Sequence, residues 1–490
     1  MKRIRIILFL LIFIIPMARS QKIWHIFGGD HADPTIVRVD KDYYMTFCSY
    51  NYVPGLQIYH SENLKDWTMI GYALTKYVGD IWSPELVYFD QKFYIYFPAN
   101  GTNYVVTADN PEGPWSDPVD LKTNGIDPGH IVTPEGDRYL YFNNGWVAKL
   151  APDGLSIVGK KTKVYDGWPI PNDWIIECFC LESPKLIYKD GLYFMTSAQG
   201  GTAGPSTSHM VVSARSENVM GPWENSAYNP VLRTWSPKEE WWSKGHGTIF
   251  DDPKGNWYIV YHAYRNNELN RGRQVLIEPV KWTDDGWFRL KRKPTEEPST
   301  VFFENIKLKD DSFNTVVLKP QWQFAGIKDL GEIVVVDGEL NISSVKDKVK
   351  AMVANTPDVN FDATIKLIAD EDNDSLEYGF VLYYDKENYT GIAINGKNMY
   401  ALDWAEKGKG PVLNKDGYTF FRLIRRMNDL QMAFSKDGES WIYYPTSREV
   451  SGYQHNVLSG FKNLKVGVFC KGDGVLKIDD FSYQGYVLKE

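Results

Sequence analysis

Cysteine is scarce in this sequence. Four of the 490 residues are cysteine, and Cys48, Cys178, Cys180 and Cys470 form neither a dense disulfide framework nor a Cys-x-x-Cys metal knuckle. On a strand, Cys178 and Cys180 would point to the same side. A pairing between these two and a pair of ordinary buried thiols therefore both stay open.

Positive charge and long apolar runs are also in short supply. The 62 Asp and Glu residues outnumber the 54 Lys and Arg residues, and the net charge of -8 disfavours a nucleic-acid partner. After residue 20 no apolar run is long enough to span a bilayer, so no transmembrane segment is expected. Before it, three basic residues precede an apolar stretch at 6–15 and small residues at 18 and 20. This order predicts a signal peptide over residues 1–20, and hence a periplasmic or secreted protein.

Aromatic residues, by contrast, are plentiful and recur at a fixed phase. They make up 15% of the chain, and five times an apolar strand, an Asp- or Gly-rich turn and an aromatic strand follow one another. The copies begin near Asp33, Ser83, Asp127, Glu182 and Gly245, a period near 50 residues. Hairpins repeated in this way predict four-stranded units and a five-bladed β-propeller, placed at residues 21–295.

The repeat ends in a charged, proline-containing segment after Trp287. From Asp311 onward the chain again shows short alternating strands separated by turns, such as EIVVVDG and YGFVLYYD. This pattern predicts an antiparallel β-sandwich over residues 305–490. The predicted fold is therefore all-β, a propeller followed by a sandwich.

A titratable residue stands at the start of the first strand of every copy: Asp33, Glu85, Asp127, Glu182 and His246. The first strand of a propeller blade lines the central axis, so we expect all five residues to converge at one end of it. Converging carboxylates are costly unless they serve a function. Two carboxylates in a cleft suit glycoside hydrolysis, and a third can raise the pKa of the one that acts as the acid.

Six short motifs over residues 25–290 stand in the order found in glycoside hydrolase family 43, which this region resembles. The motifs are His31-Ala32-Asp33-Pro34, Trp82-Ser83-Pro84, Ile126-Asp127-Pro128, Glu182-Ser183-Pro184, Gly245-His246-Gly247 and Gly272-Arg273-Gln274. The sandwich is similar to that of the family's branch of β-xylosidases and α-L-arabinofuranosidases, which implies a concanavalin-like domain. In that branch the sandwich can lend residues to the rim of the pocket.

The resemblance implies a role for each motif. Asp33 is implied as general base, Glu182 as general acid and Asp127 as the modulator of its pKa, in an inverting, exo-acting hydrolysis. The implied product is xylose or arabinose from a plant cell-wall polysaccharide or oligosaccharide. No cofactor is required, although in some members a histidine at the position of His246 binds Ca²⁺ through water. The implied substrate-binding residues are Trp82, Tyr50, Tyr52, His246 and Arg273.

Departures from the family pattern leave alternatives open. Ser183 stands where the acid motif often has glycine, and Glu177 is a second candidate acid next to Cys178. Glu182 is preferred because it is in phase with the other copies. The alternatives are a β-galactan exo-hydrolase of the same family, a retaining fructan or sucrose hydrolase, and a non-catalytic carbohydrate-binding propeller. The two carboxyl groups lie ~5–5.5 Å apart in a retaining enzyme and ~6.5–9.5 Å apart in an inverting one.

Overall fold

A computed structural model describes residues 22–293 and 298–486, which are almost entirely β-structure. The all-β prediction of a five-bladed propeller followed by a sandwich is confirmed. The predicted signal peptide lies outside the described residues. Within them, no helix is long and apolar enough to cross a membrane.

Within residues 22–293 and 298–302, the propeller contains 23 strands and two short 3₁₀ helices, Asn143–Gly145 and Leu269–Arg271. The strands are β1 (Ile23–Phe27), β2 (Thr35–Val39), β3 (Asp42–Thr46), β4 (Gly55–Ser61), β5 (Thr68–Leu74), β6 (Glu85–Phe89), β7 (Lys92–Ala99), β8 (Thr102–Ala108), β9 (Val119–Asp120), β10 (Gly129–Val132), β11 (Arg138–Phe142), β12 (Trp146–Leu150), β13 (Ile157–Lys163), β14 (Glu182–Lys189), β15 (Leu192–Gln199), β16 (Met210–Ser216), β17 (Glu224–Asn225), β18 (Leu232–Arg233), β19 (Trp241–Asp251), β20 (Trp257–Arg265), β21 (Gln274–Trp282), β22 (Phe288–Leu290) and β23 (Thr300–Phe302).

Four blades are built from consecutive strands, and the fifth joins the two ends of the propeller. Blades 1 to 4 have the strand orders β2-β3-β4-β5, β6-β7-β8-β9, β10-β11-β12-β13 and β14-β15-β16-β17, with β18 also paired to β16. Blade 5 has the order β19-β20-β21-β1-β23, with β22 also paired to β21. Because β1 pairs antiparallel with β21, the first strand of the propeller completes its last blade and closes the ring.

The recurring tyrosines follow from burial on both faces of each blade. In β7, Phe93, Ile95 and Phe97 pack into the core shared with blade 1. The alternating Tyr94 and Tyr96 pack into the core shared with blade 3. Side chains of a strand alternate between the two faces of its sheet, so a strand covered on both faces needs an unbroken run of large apolar or aromatic residues.

The innermost strands β2, β6, β10, β14 and β19 line the axis, but the expected convergence of five titratable residues is wrong for Glu85. Asp33 and Asp127 directly precede their prolines, whereas Glu85 follows Pro84 and lies deeper along the axis. There its carboxylate accepts hydrogen bonds from Lys185 Nζ at 2.6 Å and Thr35 Oγ1 at 3.0 Å. Lys185 Nζ also donates to the carbonyls of Pro84 and Pro128, so one ammonium group ties blades 2 and 3 to its own blade 4.

We expect Lys185→Met to destabilise the propeller by about 3–5 kcal/mol, because it leaves the buried Glu85 carboxylate without its counter-charge. Urea unfolding followed by tryptophan fluorescence measures this change. The matched control is Lys41→Met, which breaks a Lys–Glu pair of similar length between exposed side chains. Equal midpoints for the two variants would contradict a structural role for the axial pair.

As far as the structure describes it, up to residue 486, the sandwich has 16 strands, one 3₁₀ helix (Leu330–Glu332) and the short helix α1 (His455–Leu458). The strands are β24 (Gln323–Ala325), β25 (Val334–Val336), β26 (Glu339–Ser344), β27 (Lys350–Asn355), β28 (Phe361–Ile368), β29 (Leu376–Asp385), β30 (Asn388–Asn395), β31 (Asn398–Asp403), β32 (Glu406–Lys407), β33 (Leu413–Asn414), β34 (Phe420–Arg426), β35 (Asp429–Ser435), β36 (Ile442–Tyr443), β37 (Arg448–Glu449), β38 (Lys465–Gly472) and β39 (Gly474–Gly485).

These strands form two eight-stranded sheets that pack on the propeller. The sheet orders are β24-β27-β38-β29-β30-β31-β32, with β33 on β31, and β25-β26-β39-β28-β34-β35-β36, with β37 on β35. Val53 of the propeller exchanges two backbone hydrogen bonds with Phe324 of β24. The Leu464 amide donates to the Asn270 carbonyl at 2.9 Å. The sandwich is thereby tied to the loops at the end of the axis where the innermost strands begin.

Candidate active site

Four of the predicted residues meet at that end of the axis. His246 Nδ1 lies 3.3 Å from Asp33 Oδ1, and His246 Nε2 lies 4.0 Å from Asp127 Oδ2 and 3.8 Å from Glu182 Oε2. The imidazole therefore stands between Asp33 on one side and the other two carboxyls on the opposite side. The Glu182 side chain is 28% exposed, whereas those of Asp33, Asp127 and His246 are 5–6% exposed. Glu182 is thus the group of the four that faces solvent.

In the acid motif one residue, Ser183, separates the carboxylate from the proline, whereas Asp33 and Asp127 directly precede theirs, and the backbone explains this difference. Asp33, Asp127 and His246 have φ of 55°, 55° and 51°, in the left-handed region. In blade 4 the left-handed residue is Ser183, with φ of 48°, and Glu182 precedes it. Only glycine adopts this region without steric cost, which accounts for the glycine that the acid motif often has in place of Ser183.

We expect Ser183→Gly to stabilise the protein by about 1 kcal/mol, because it removes left-handed strain and a buried hydroxyl without a hydrogen-bond partner. The greater freedom of glycine in the unfolded chain offsets part of this gain. The matched control is Ser213→Gly, which removes another buried, unpartnered hydroxyl from within strand β16 and should destabilise. A lower denaturation midpoint for Ser183→Gly would contradict the strain argument.

Asp33 is surrounded by groups that favour its ionised form. Arg273 Nη1 donates to Asp33 Oδ1 at 2.8 Å, and His262 Nδ1 lies 2.9 Å from the same oxygen. The Cys48 thiol donates to Asp33 Oδ2 at 2.9 Å. Burial opposes ionisation, but Arg273 and His246 outweigh it and hold the pKa of Asp33 well below its usual value. Asp33 is therefore a carboxylate over the whole physiological range.

Unlike Asp33, Asp127 stands in surroundings that favour its protonated form. The carboxyl oxygens of Asp127 and Glu182 lie within 4.8 Å of each other, and Asp127 Oδ2 accepts a hydrogen bond from the Ser183 amide at 3.1 Å. Burial raises the pKa of Asp127, and the like charges of Glu182 and Asp33 add to the shift against the opposing effect of His246. Of these two carboxyls, the buried Asp127 is therefore the one whose surroundings favour a bound proton.

The donor set around His246 does not fit a Ca²⁺ ion. Asp127, Glu182 and His246 could together offer three ligand atoms, but one of them is an imidazole nitrogen, while Ca²⁺ takes 6–8 oxygen ligands. Burial alone would lower the pKa of His246, but Asp33 and the other two carboxyls outweigh it and raise that pKa. A raised pKa favours the cationic form of the imidazole, which further disfavours a metal cation bound to it.

The predicted aromatic residues divide between the site and the domain interface. Tyr50 donates its hydroxyl to Asp30 Oδ2 at 2.8 Å and accepts from Arg273 Nη2 at 3.0 Å. The half-buried Trp82 stands edge-on to Tyr50, with ring centroids 5.2 Å apart. Tyr52 instead is 2% exposed and packs on the sandwich, with its hydroxyl toward the Tyr384 carbonyl. The structure therefore brings Trp82 and Tyr50 to the site but turns Tyr52 away from it.

Comparison with known families agrees with this geometry. Residues 26–288 match the model of glycosyl hydrolases family 43, and residues 310–486 match that of the β-xylosidase C-terminal concanavalin A-like domain. The chain belongs to glycosyl hydrolase family 43. This confirms the resemblance stated from the six motifs, and membership of a hydrolase family agrees with the predicted class of enzyme.

Relatives within family 43 carry two kinds of name. A xylan 1,3-β-xylosidase of a Vibrio species is 30% identical over 53% of this chain and 56% of its own length. A non-reducing end α-L-arabinofuranosidase of Bacteroides ovatus is 25% identical over 92% of this chain and 91% of its own. The chain spans about half the length of the first curated relatives it matches. The structure of a family 43 protein from Bacillus licheniformis covers 95% of this chain and 100% of its own with a TM-score of 0.82 at 24% identity, which shows a shared fold.

Other residues of this family 43 site were missed by sequence reasoning. His262 lies within the fifth hairpin of the repeat, and Asp30 stands three residues before Asp33. The repeat and the first motif therefore contain a signal for both. Cys48 had no such signal, because its contact with Asp33 depends on the turn after β3. Phe461 comes from the sandwich and stands edge-on to Trp82, with ring centroids 6.0 Å apart. The Arg273 guanidinium carbon lies 5.2 Å from the centroid of the Phe461 ring.

Glu177 lies beside the site rather than within it. Its exposed carboxylate accepts a hydrogen bond from the Ala203 amide at 2.7 Å. Partial burial raises the pKa of Glu177, and the neighbouring charge of Glu182 contributes to the shift. The adjacent Cys178 and Cys180 are joined by a disulfide, so the buried-thiol interpretation is wrong for this pair, while Cys48 and Cys470 are free.

Proposed function

We propose that this protein is an inverting, exo-acting glycoside hydrolase that releases a pentose, xylose or arabinose, from plant cell-wall polysaccharide or oligosaccharide. One observation carries the proposal. Across His246, an ionised Asp33 faces the solvent-facing Glu182, and beside Glu182 lies Asp127, whose pKa is raised by burial. Two carboxyls held in such different surroundings, on opposite sides of one ring, are suited to act as base and acid in one step.

In the proposed mechanism, Asp33 removes a proton from a water molecule as that water attacks the anomeric carbon. Glu182 gives its proton to the glycosidic oxygen, which leaves with the departing sugar. Arg273 holds Asp33 by a hydrogen bond of 2.8 Å and keeps it ionised. Asp127, anchored on the Ser183 amide, positions Glu182 and disfavours its negative charge before the reaction.

The position of His246 supports inversion over retention. Inversion needs a gap of ~6.5–9.5 Å between the two carboxyls, wide enough for water, whereas retention needs ~5–5.5 Å. Asp33 and Glu182 approach different nitrogens of the His246 ring, so the width of the ring contributes to their separation. This arrangement favours water, rather than Asp33, as the attacking group.

The choice of a pentose rests on the names of relatives, which include xylosidases and an arabinofuranosidase. Trp82, Tyr50 and Phe461 would wall the sugar. Nothing specific favours the β-galactan alternative, and membership of family 43 does not favour the fructan hydrolase. A binding-only propeller would have no need of carboxyls in two protonation states. Export directed by residues 1–20 would bring the enzyme to extracellular polysaccharide.

A panel of p-nitrophenyl glycosides tests the sugar, with β-D-xylopyranoside, α-L-arabinofuranoside and β-D-galactopyranoside as its arms. We expect one of the two pentosides to be hydrolysed fastest. Proton NMR of the first product then reports its anomeric configuration, and we expect inversion. A product of retained configuration would remove the role of general base from Asp33, and a preference for the galactoside would replace the pentose by galactose.

A further inference from the structure

Beside the carboxyls lies a cluster of aromatic residues that the reaction does not use. Trp168 and Trp174 belong to the strand-free segment between β13 and β14, and Trp235 precedes β19. The ring centroids of Trp168 and Trp174 are 5.9 Å apart, and those of Trp174 and Trp235 are 5.7 Å apart. All three indoles are partly exposed. We call Trp168, Trp174, Trp235 and the neighbouring Phe179 the aromatic platform.

Arg233 gives the platform a polar partner. Its guanidinium carbon lies 3.4 Å from the ring centroid of Trp174 and 5.3 Å from that of Trp235. Its Nε donates to the Thr207 carbonyl at 2.8 Å, which fixes the guanidinium in place. Trp174 is therefore covered on one face and supports the cluster, while Trp168 and Trp235 stand on either side of it. Partly exposed rings next to fixed donors suit a sugar, whose C–H face is apolar and whose hydroxyls accept hydrogen bonds.

The strand register places the platform next to Glu182. Gln199 Oε1 accepts from the Trp168 amide at 2.9 Å, and Gln199 Nε2 donates to the Trp168 carbonyl at 3.0 Å. The residue before Gln199 is Ala198, which pairs directly with Glu182 between β14 and β15. Phe179 lies against Gly167, beside Trp168, and the Cys178–Cys180 disulfide spans it. The Trp168 end of the platform is thus anchored to β15, the strand that pairs with the one that carries the acid.

The direction of the reaction assigns this side of the site to the leaving group. Glu182 is the solvent-facing carboxyl, and the group that it protonates must depart past it. Trp82 and Phe461 stand instead on the side of Arg273 and Asp33. On the basis of the proposed function, we propose that the aromatic platform binds the leaving-group saccharide, and that the substrate is an oligosaccharide or polysaccharide chain extending from the reacting sugar over Trp168 and Trp235.

The test compares a substrate that fills the platform with one that cannot. Trp168→Ala and Trp235→Ala are assayed on a tetrasaccharide of the preferred pentose and on the matching pentosyl fluoride, which has no leaving sugar. We expect kcat/KM to fall at least about tenfold more on the tetrasaccharide than on the fluoride, the loss of one good aromatic contact. The matched control is Trp257→Ala, since this indole is also partly exposed but stands at the start of β20, at the opposite end of blade 5 from His246. For this control, kcat/KM should fall by the same factor on the tetrasaccharide and on the fluoride.

Equal losses on the two substrates for Trp168→Ala and Trp235→Ala would overturn the proposal. Trp168→Phe and Trp235→Phe keep a stacking ring, and we expect them to recover most of the tetrasaccharide rate, which separates stacking from a loss of folding. Should the wild type hydrolyse neither substrate, the proposed function fails by itself. The platform is then judged by calorimetric titration of wild-type and tryptophan variants with xylo- and arabino-tetraose against the monosaccharides, where unchanged affinity for the tetrasaccharides would reject it.

Discussion

Asp33→Asn should lower kcat/KM by ~10²–10⁴-fold on every glycoside that the enzyme cleaves. The amide keeps the shape of the side chain but cannot take a proton from the attacking water. Because water must attack whatever the leaving group is, the loss should be the same for a disaccharide and for an activated aryl glycoside. Steady-state kinetics on one substrate of each kind measure it.

The matched control for Asp33→Asn is Asp30→Asn. Asp30 is equally buried and lies in the same network, where its Oδ1 accepts from the Arg273 amide at 2.8 Å and its Oδ2 from the Tyr50 hydroxyl. It touches Arg273 rather than the water, so its loss of rate should be at least about tenfold smaller. A thermal midpoint for each variant checks folding. Comparable losses in the two variants, or a loss at Asp33 that vanishes with an activated leaving group, would contradict the assignment of the base.

The repeat in the sequence predicts most of the fold, because each blade buries its hairpin in the same way. Once the blades were aligned, residues that directly precede the first strands, such as Asp33 and Asp127, had to meet at one end of the axis. The prediction that Glu85 lies in the site was wrong because of the position of the neighbouring proline. Pro84 precedes Glu85 where Pro34 follows Asp33, and a shift of two residues along an innermost strand moves a carboxylate from the site into the ion pair with Lys185.

Residues beyond the repeat were out of reach for physical reasons. Phe461 comes to Trp82 only because the sandwich packs on the propeller, and no local pattern encodes that contact. The thiol of Cys48 reaches Asp33 through the turn after β3, and that turn gave no signal in the sequence. The aromatic platform, likewise, is assembled from segments that have no regular secondary structure and therefore no periodic signal.

Glu182→Gln should give a loss that depends on the leaving group. With a sugar as leaving group, which needs a proton to depart, we expect kcat/KM to fall ~10²–10⁴-fold. With a 2,4-dinitrophenyl glycoside, whose leaving group departs as a stable anion, the loss should be less than about tenfold, because this step no longer needs an acid. The alkaline limb of the pH–rate profile should also disappear, because in the proposed mechanism that limb reports loss of the proton that the acid gives to the glycosidic oxygen.

Glu177→Gln decides between the two candidate acids, since Glu177 lies five residues earlier, is exposed and shares the surroundings of Glu182. Its carboxylate accepts from the Ala203 amide, a bond that a glutamine oxygen can also accept. We therefore expect Glu177→Gln to keep the alkaline limb and to lose rate by a similar small factor on both substrates. A leaving-group-dependent loss at Glu177 with none at Glu182 would transfer the acid role to Glu177. That result would also move the leaving sugar, because the proton would then reach the glycosidic oxygen from the rim of the site rather than from the side of His246.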